Sequence, residues 1–208
     1  MRYIQWAPVA LALSGALFSP LSQAQSAPSP SPTSAASAPA CPAPGRPAIA
    51  PVNNPGFVAG DNGIPKGWRG VEHVNPGHYL FESDTAVYRS APPSFRLRRV
   101  GTEAHATLEQ TIRVAPCWRG KTARLSSELK TQGADGAGGG LILQMRDIDN
   151  RVLLWNHMND SRVIGTQDWK RYSVELPLPE ATEEIRIGIL LDEQGTLWAD
   201  DVRLEILN

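Results

Sequence analysis

The chain has 208 residues, 20 Lys and Arg against 21 Asp and Glu, and a formal net charge of −1. Interspersed charge of this kind lacks the basic face of a general nucleic-acid binder. The one dense basic cluster, Arg96, Arg98 and Arg99, sits at strand spacing and reads as a solvated face.

Met1 to Leu21 carry one Arg near the start and a small apolar stretch from Trp6 to Phe18. That stretch is too short to span a bilayer. Ser22-Gln23-Ala24 follows, with small residues where a signal peptidase reads. The pattern predicts a bacterial-type signal peptide over 1–24, a periplasmic or secreted protein, and no transmembrane segment after its removal. Residues 25–52 are mostly Ala, Ser and Pro. Such a segment cannot bury enough apolar surface to offset its ordering entropy, so a disordered spacer is expected. Residues 53–208 are long enough for one domain and too short for two ordinary ones.

Cys41 and Cys117 are the two cysteines. In an oxidising compartment they either form a disulfide that ties the spacer to the domain or stand as two free thiols. Spacing alone does not bring their Cα atoms within reach.

Within the domain, Phe57 and Trp68 lie among Gly and Pro residues and read as isolated apolar anchors. Strands are predicted at His78–Glu82, Ala86–Arg89 and Ser94–Val100. A longer one runs from Ala106 to Val114 and another from Ala123 to Leu129. Residues 133–140 are rich in glycine and predict a loop. Leu141, Leu143 and Met145 then form an inward face, and Asp147 to Asn150 form a hairpin turn into Val152–Met158. Three more strands run from Trp169 to the end. Alternation of apolar and polar residues dominates, and no segment keeps a helical period. The fold class is therefore all-β, an antiparallel sandwich.

The closing run Trp198-Ala199-Asp200-Asp201-Val202-Arg203-Leu204 resembles the last strand of jelly-roll domains of the galactose-binding-like superfamily, which includes many carbohydrate-binding modules. The opening, Asn54-Pro55-Gly56-Phe57 with Ile64-Pro65-Lys66-Gly67-Trp68, is similar to their N-terminal signature. Leu108 to Val114 and Ala123 to Ser126 resemble middle strands. Leu125 to Leu204 is also similar to sensor-like β-domains beside some bacterial transcription regulators. The resemblance implies a jelly roll that binds a ligand without catalysis. It specifies fold more than ligand, because function belongs to sites grafted on a fold.

The family often places Glu after the opening Phe, where it holds a structural calcium together with an Asp matching Asp200. Val58 stands at the Glu position here. Asp200 is thus either a calcium ligand short of one carboxylate or a hydrogen-bonded group closing the end of the sandwich. The missing oxygen donor favours the second. No other cofactor is implied.

A sugar site needs an aromatic platform ringed by polar groups. If the strands flanking the Asp147–Asn150 turn pair, Trp155 and His157 share a face beside Gln144 and Arg146. Glu128 and Arg186 are the polar members of neighbouring alternations and are expected to join them. The competing reading places Trp155 in the core. Trp169 and Trp198 are stronger core candidates, and Trp118 is expected to pack beneath the spacer.

Catalytic motifs are absent. His73, His78, His105 and His157 show no metal-ligand spacing, and the glycine-rich stretch lacks the Lys-Ser/Thr of a phosphate loop. The leading expectation is an exported, non-catalytic domain binding a carbohydrate or related polar ligand at the cell envelope. The alternatives are an interaction domain with an envelope protein as partner, and a glycoside hydrolase or lyase.

Overall fold

The computed structural model describes residues 40–208; the predicted signal peptide and the first part of the predicted spacer lie outside them. Ten strands follow one another. They are β1 (Ala48–Ile49), β2 (Arg69–Glu72), β3 (Tyr79–Asp84), β4 (Ser94–Arg99), β5 (His105–Arg113), β6 (Thr122–Arg146), β7 (Val152–Asn156), β8 (Val163–Pro177), β9 (Glu184–Asp192) and β10 (Thr196–Leu207). The only helix among the described residues is a single 3-10 turn, Pro116–Trp118.

Hydrogen bonding runs in the order β2-β5-β9-β6-β10-β4-β3, with β1 added to β10 and β7 and β8 added to β6. Every pairing is antiparallel. The length of β6 divides this path into two layers. Its first half pairs with β8 and β10, as in Leu125 opposite Val174 and Leu204. Its second half pairs with β9 and β7, as in Gln144 opposite Arg186 and Trp155. One layer is therefore β8-β6-β10-β4-β3, and the other is β2-β5-β9-β6-β7.

The core lies between the layers. Period-two alternation turns Phe95 and Leu97, Leu108 and Ile112, Leu141, Leu143 and Met145, and Ile185, Ile187 and Ile189 into it. Phe57 and Trp68 join as the sequence predicted, with ring centroids 5.4 Å apart.

Several expectations need correction. Residues 133–140 do not form a loop; they are the bend by which β6 passes from one layer to the other. Gly133, Gly136 and Gly138 take positive φ there, which glycine adopts without steric cost. A Cβ on Gly138 would stand 2.5 Å from the Val163 carbonyl oxygen. Composition pointed to a loop, whereas the glycines serve close packing. The disordered spacer does not reach residue 52. Ala48 and Ala50 are buried, β1 pairs Ala48 with Ile206, and Cys41 is bonded to Cys117 across a sequence separation of 76. Low hydrophobicity misled here because strand addition and a covalent bond hold the segment. Residues 86–89 form no strand, since Ala86 and Val87 donate their amides to Asp84 in a turn. Trp169 is only half-buried. Trp198 is buried, but on the outer face of its layer, because the period places Leu197 and Ala199 inward. Trp118 is fully buried and donates its indole N–H to the Ala40 carbonyl.

Candidate functional site

The outer face of the β2-β5-β9-β6-β7 layer carries the residues left over when the core is filled. Register arranges them in rows across the strands. Thr111, Arg186, Gln144 and Trp155 form one row, and Arg69, Glu109, Gly188 and Ile142 form the next. Val71, Thr107 and Leu190 form a third. A cleft of about 380 Å³ lies over these rows, within the size range of small-ligand sites.

Its floor is apolar. Ile142 and Leu190 point away from the core yet are 6% and 4% exposed. Gly188 between them carries no side chain, which keeps the floor flat; a Cβ there would stand 3.5 Å from that of Ile142. Trp155 forms one wall. It is 56% exposed, which decides against its core reading. Its ring centroid lies 4.1 Å from that of His157. The hairpin pairing of Gln144 with Trp155 sets this wall beside the floor.

The end near His157 is built from side chains that sequence reasoning missed. Arg162, 6% exposed, donates to the His157 carbonyl at 2.6 Å and pairs with Asp192 at 3.5 Å. His73 and His105 lie on the opposite side, their rings tilted with centroids 4.6 Å apart. Burial pulls the His157 imidazole below its ordinary pKa, and the Arg162 charge adds to the effect. Its Nε2 is buried without a hydrogen-bond partner. The signal for these residues was alternation: His105 and Asp192 are outward members of β5 and β9, opposite each other in register.

Beyond the cleft, the same face is rich in arginine. Arg69 pairs with Glu109 at 3.2 Å, and Arg186 approaches the same carboxylate oxygen at 3.6 Å. Arg146 donates to the Gln144 side-chain oxygen and to Asn150. Burial, reinforced by the neighbouring Arg186 charge, pulls Arg146 below the usual arginine pKa.

Of the six ligand candidates, Trp155, His157, Gln144, Arg146 and Arg186 share this face. Glu128 does not. It sits on the first half of β6 in the other layer, opposite Asp200 and Arg171, and pairs with Arg171 at 3.3 Å. Its alternation is sound, but the strand changes layer between residue 128 and residue 141.

A larger depression of about 720 Å³ runs along β5 beyond the end of β2. Proline, aliphatic residues and Trp68 line one part of it, and Arg69, Glu109, Thr111 and Arg113 line the rest. Its central polar side chain, Gln110, is consumed by the Asn53 backbone through bonds of 2.7 and 2.9 Å. The smaller cleft is the better site because an exposed indole, Trp155, stands beside its apolar floor.

Asp200 does not fit a calcium ion. Its two carboxylate oxygens accept bonds from the Arg89 amide (2.7 Å), the Ser90 amide (2.9 Å), the Ser90 hydroxyl (3.1 Å) and the Asp201 amide (2.7 Å). Val58 supplies no carboxylate and is exposed. Among the described residues no three His, Cys, Asp or Glu side chains gather as a metal site. No helix among them is long and apolar enough to cross a membrane.

No protein-family model matches the chain. An uncharacterized HTH-type transcriptional regulator of Bacillus subtilis, YbfP, is 32% identical over 100 residues, 48% of this chain and 33% of that one. The chain thus spans about a third of the length of that curated relative. Solved structures agree in fold. The enzymatically active domain of tailspike protein 4 of bacteriophage CBA120 superimposes with a TM-score of 0.57 at 14% identity, covering 75% of this chain and 21% of that one. The CBM22-1 xylan-binding domain of Paenibacillus barcinonensis Xyn10C gives 0.52 at 12% identity, covering 70% and 89%. A family 16 carbohydrate-binding module gives 0.50 at 19% identity, covering 72% and 98%. The fold is the jelly-roll sandwich of these modules.

Proposed function

We propose that this chain is an exported, non-catalytic domain that binds a carbohydrate on the outer face of the β2-β5-β9-β6-β7 layer. The observation that carries this reading is Trp155, an exposed indole standing beside the apolar floor of Ile142 and Leu190. A pyranose ring presents one apolar C–H face and a rim of hydroxyls. The indole and floor match the first, and Gln144, Glu109, Thr107 and His157 match the second. The sharing of this fold with carbohydrate-binding modules supports the reading by analogy. The Cys41–Cys117 bond supports export, since such bonds persist in oxidising compartments.

The cleft carboxylates favour binding over catalysis. Glu72 accepts the amides of Gly77 and His78, Glu109 is held by Thr107 and Arg69, and Asp192 is held by Arg162. The test is titration with a glycan panel while tryptophan fluorescence is followed. A saturable response that disappears in a folded Trp155→Ala variant supports the site, and an unchanged response removes it. Release of reducing ends from any panel member would overturn the non-catalytic reading.

A further inference from the structure

We infer that the glycan taken by this cleft is acidic, with its anionic group held just beyond the cleft, on the same sheet face, by Arg186 and Arg69. This rests on the carbohydrate-binding reading and adds the charge class of the ligand.

Four guanidiniums, Arg69, Arg113, Arg146 and Arg186, occupy outward positions on adjacent strands. Two outward carboxylates, Glu109 and Glu184, lie among them. The other nearby acids are committed elsewhere: Asp147 to Arg151 and two backbone amides, and Glu183 to Arg119. The end of the face therefore carries an uncompensated positive charge. Glu109 alone is shared by Arg69 and Arg186. The Nε of Arg186 is buried and has no acceptor. A buried donor without a partner is costly unless a ligand or ion completes it.

Spacing fits the same conclusion. Trp155, Gln144 and Arg186 are successive members of one row, on β7, β6 and β9. Two strand spacings put the Arg186 and Trp155 backbones about 10 Å apart. That is roughly the step between a sugar stacked on Trp155 and an acidic group one or two units along the chain. Guanidinium groups are suited to carboxylate or sulfate through paired N–H donors. Uronate and sulfated glycans share this chemistry, so the test separates them.

Polygalacturonate, alginate and hyaluronate are each titrated beside their carboxyl-reduced forms, which keep linkage and lose charge. Dextran sulfate is compared with dextran. At low salt at least one acidic polymer is expected to bind about tenfold more tightly than its neutral counterpart, the worth of one charge-assisted hydrogen bond. Preference confined to the uronates assigns carboxylate, and preference confined to dextran sulfate assigns sulfate. Arg186→Gln should abolish the preference. Arg69→Gln alters a side chain that is 66% exposed, and it should shrink the preference while the protein stays folded. Should Arg186→Gln unfold, an unchanged preference in Arg69→Gln overturns the inference. Equal affinity for every charged and neutral pair, with binding still lost in Trp155→Ala, overturns it and leaves the carbohydrate site standing. Absence of binding to every acidic polymer overturns the inference, and the carbohydrate site is then judged by the neutral glycan panel and Trp155→Ala.

Discussion

The outer faces of the two layers are built from the same alternation, but their polar groups are spent differently. On the β8-β6-β10-β4-β3 layer several central charges are paired: Arg124 with Glu175, Lys130 with Asp168, Arg171 with Glu128. Its buried tryptophan, Trp198, is 6% exposed and donates to Asp84 at 2.9 Å, while Arg96 closes on that carboxylate at 3.3 Å. On the opposite layer Trp155 is exposed, and Nε of Arg186 and Nε2 of His157 lack partners. An outward tryptophan is structural where a salt bridge covers it and available where none does. What distinguishes the two faces is the cover over their outward indoles: Arg96 and Asp84 close over Trp198, and Trp155 stands exposed.

The contrast breaks most visibly at the two indoles. Trp198→Ala should cost about 3–5 kcal/mol, the range for emptying a buried aromatic site. Trp155→Ala should stay within about 0.5 kcal/mol of the parent, as an exposed position does. Denaturant melts of both variants check this, and equal losses would erase the distinction between the faces. The bend joining the layers comes next. A Cβ at Gly195, whose φ is +102°, would lie 2.4 Å from the Gly133 carbonyl oxygen. Gly195→Ala should therefore destabilise by more than the roughly 1 kcal/mol of an ordinary positive-φ glycine, read as a lowered thermal midpoint.

Acid should act on both faces in sequence. His157 has a depressed pKa, so its contribution is full above the ordinary histidine value and is lost as pH falls through the folded one. Burial pushes the Asp84 carboxyl upward, but the Trp198 indole, the Ala86 and Val87 amides and Arg96 outweigh it and hold it low. Its contribution is present above the ordinary carboxylate range and is lost at lower pH than that of His157. Melting across pH 8 to 3 should show two declines. His157→Gln should weaken the first and Asp84→Asn part of the second, which Glu103, Asp147 and Asp168, also held low by their hydrogen bonds, share. The smallest effect is expected at Arg124→Ala, which breaks a half-exposed ion pair and should cost at most about 0.5–1 kcal/mol. A larger loss in the melt would mean the sealed face depends on its ladder of charges.

How much could be read in advance follows from the range of each force. Alternation is local, so the inward faces of β4, β5, β9 and the second half of β6 were legible, and so was the meeting of Trp155 with Gln144 across a short turn. Arg162, Asp192 and His105 come together only through pairing across distant segments, and no local pattern marks them as neighbours. Glu128 was misplaced for a related reason: its strand is continuous, yet glycines turn it into a second layer before residue 141. Trp198 looked like core because it is large and lies in a family motif. Its register points outward, and Arg96 and Asp84, from β4 and β3, supply the cover.

The 25-residue strand β6 has a consequence for how the molecule comes apart. It lends backbone hydrogen bonds to both sheets, so neither half can be cut away or peeled off without stripping the other of a neighbour. Amide protons in its two ends should exchange with solvent in step, through one global opening, although they belong to opposite walls of the sandwich.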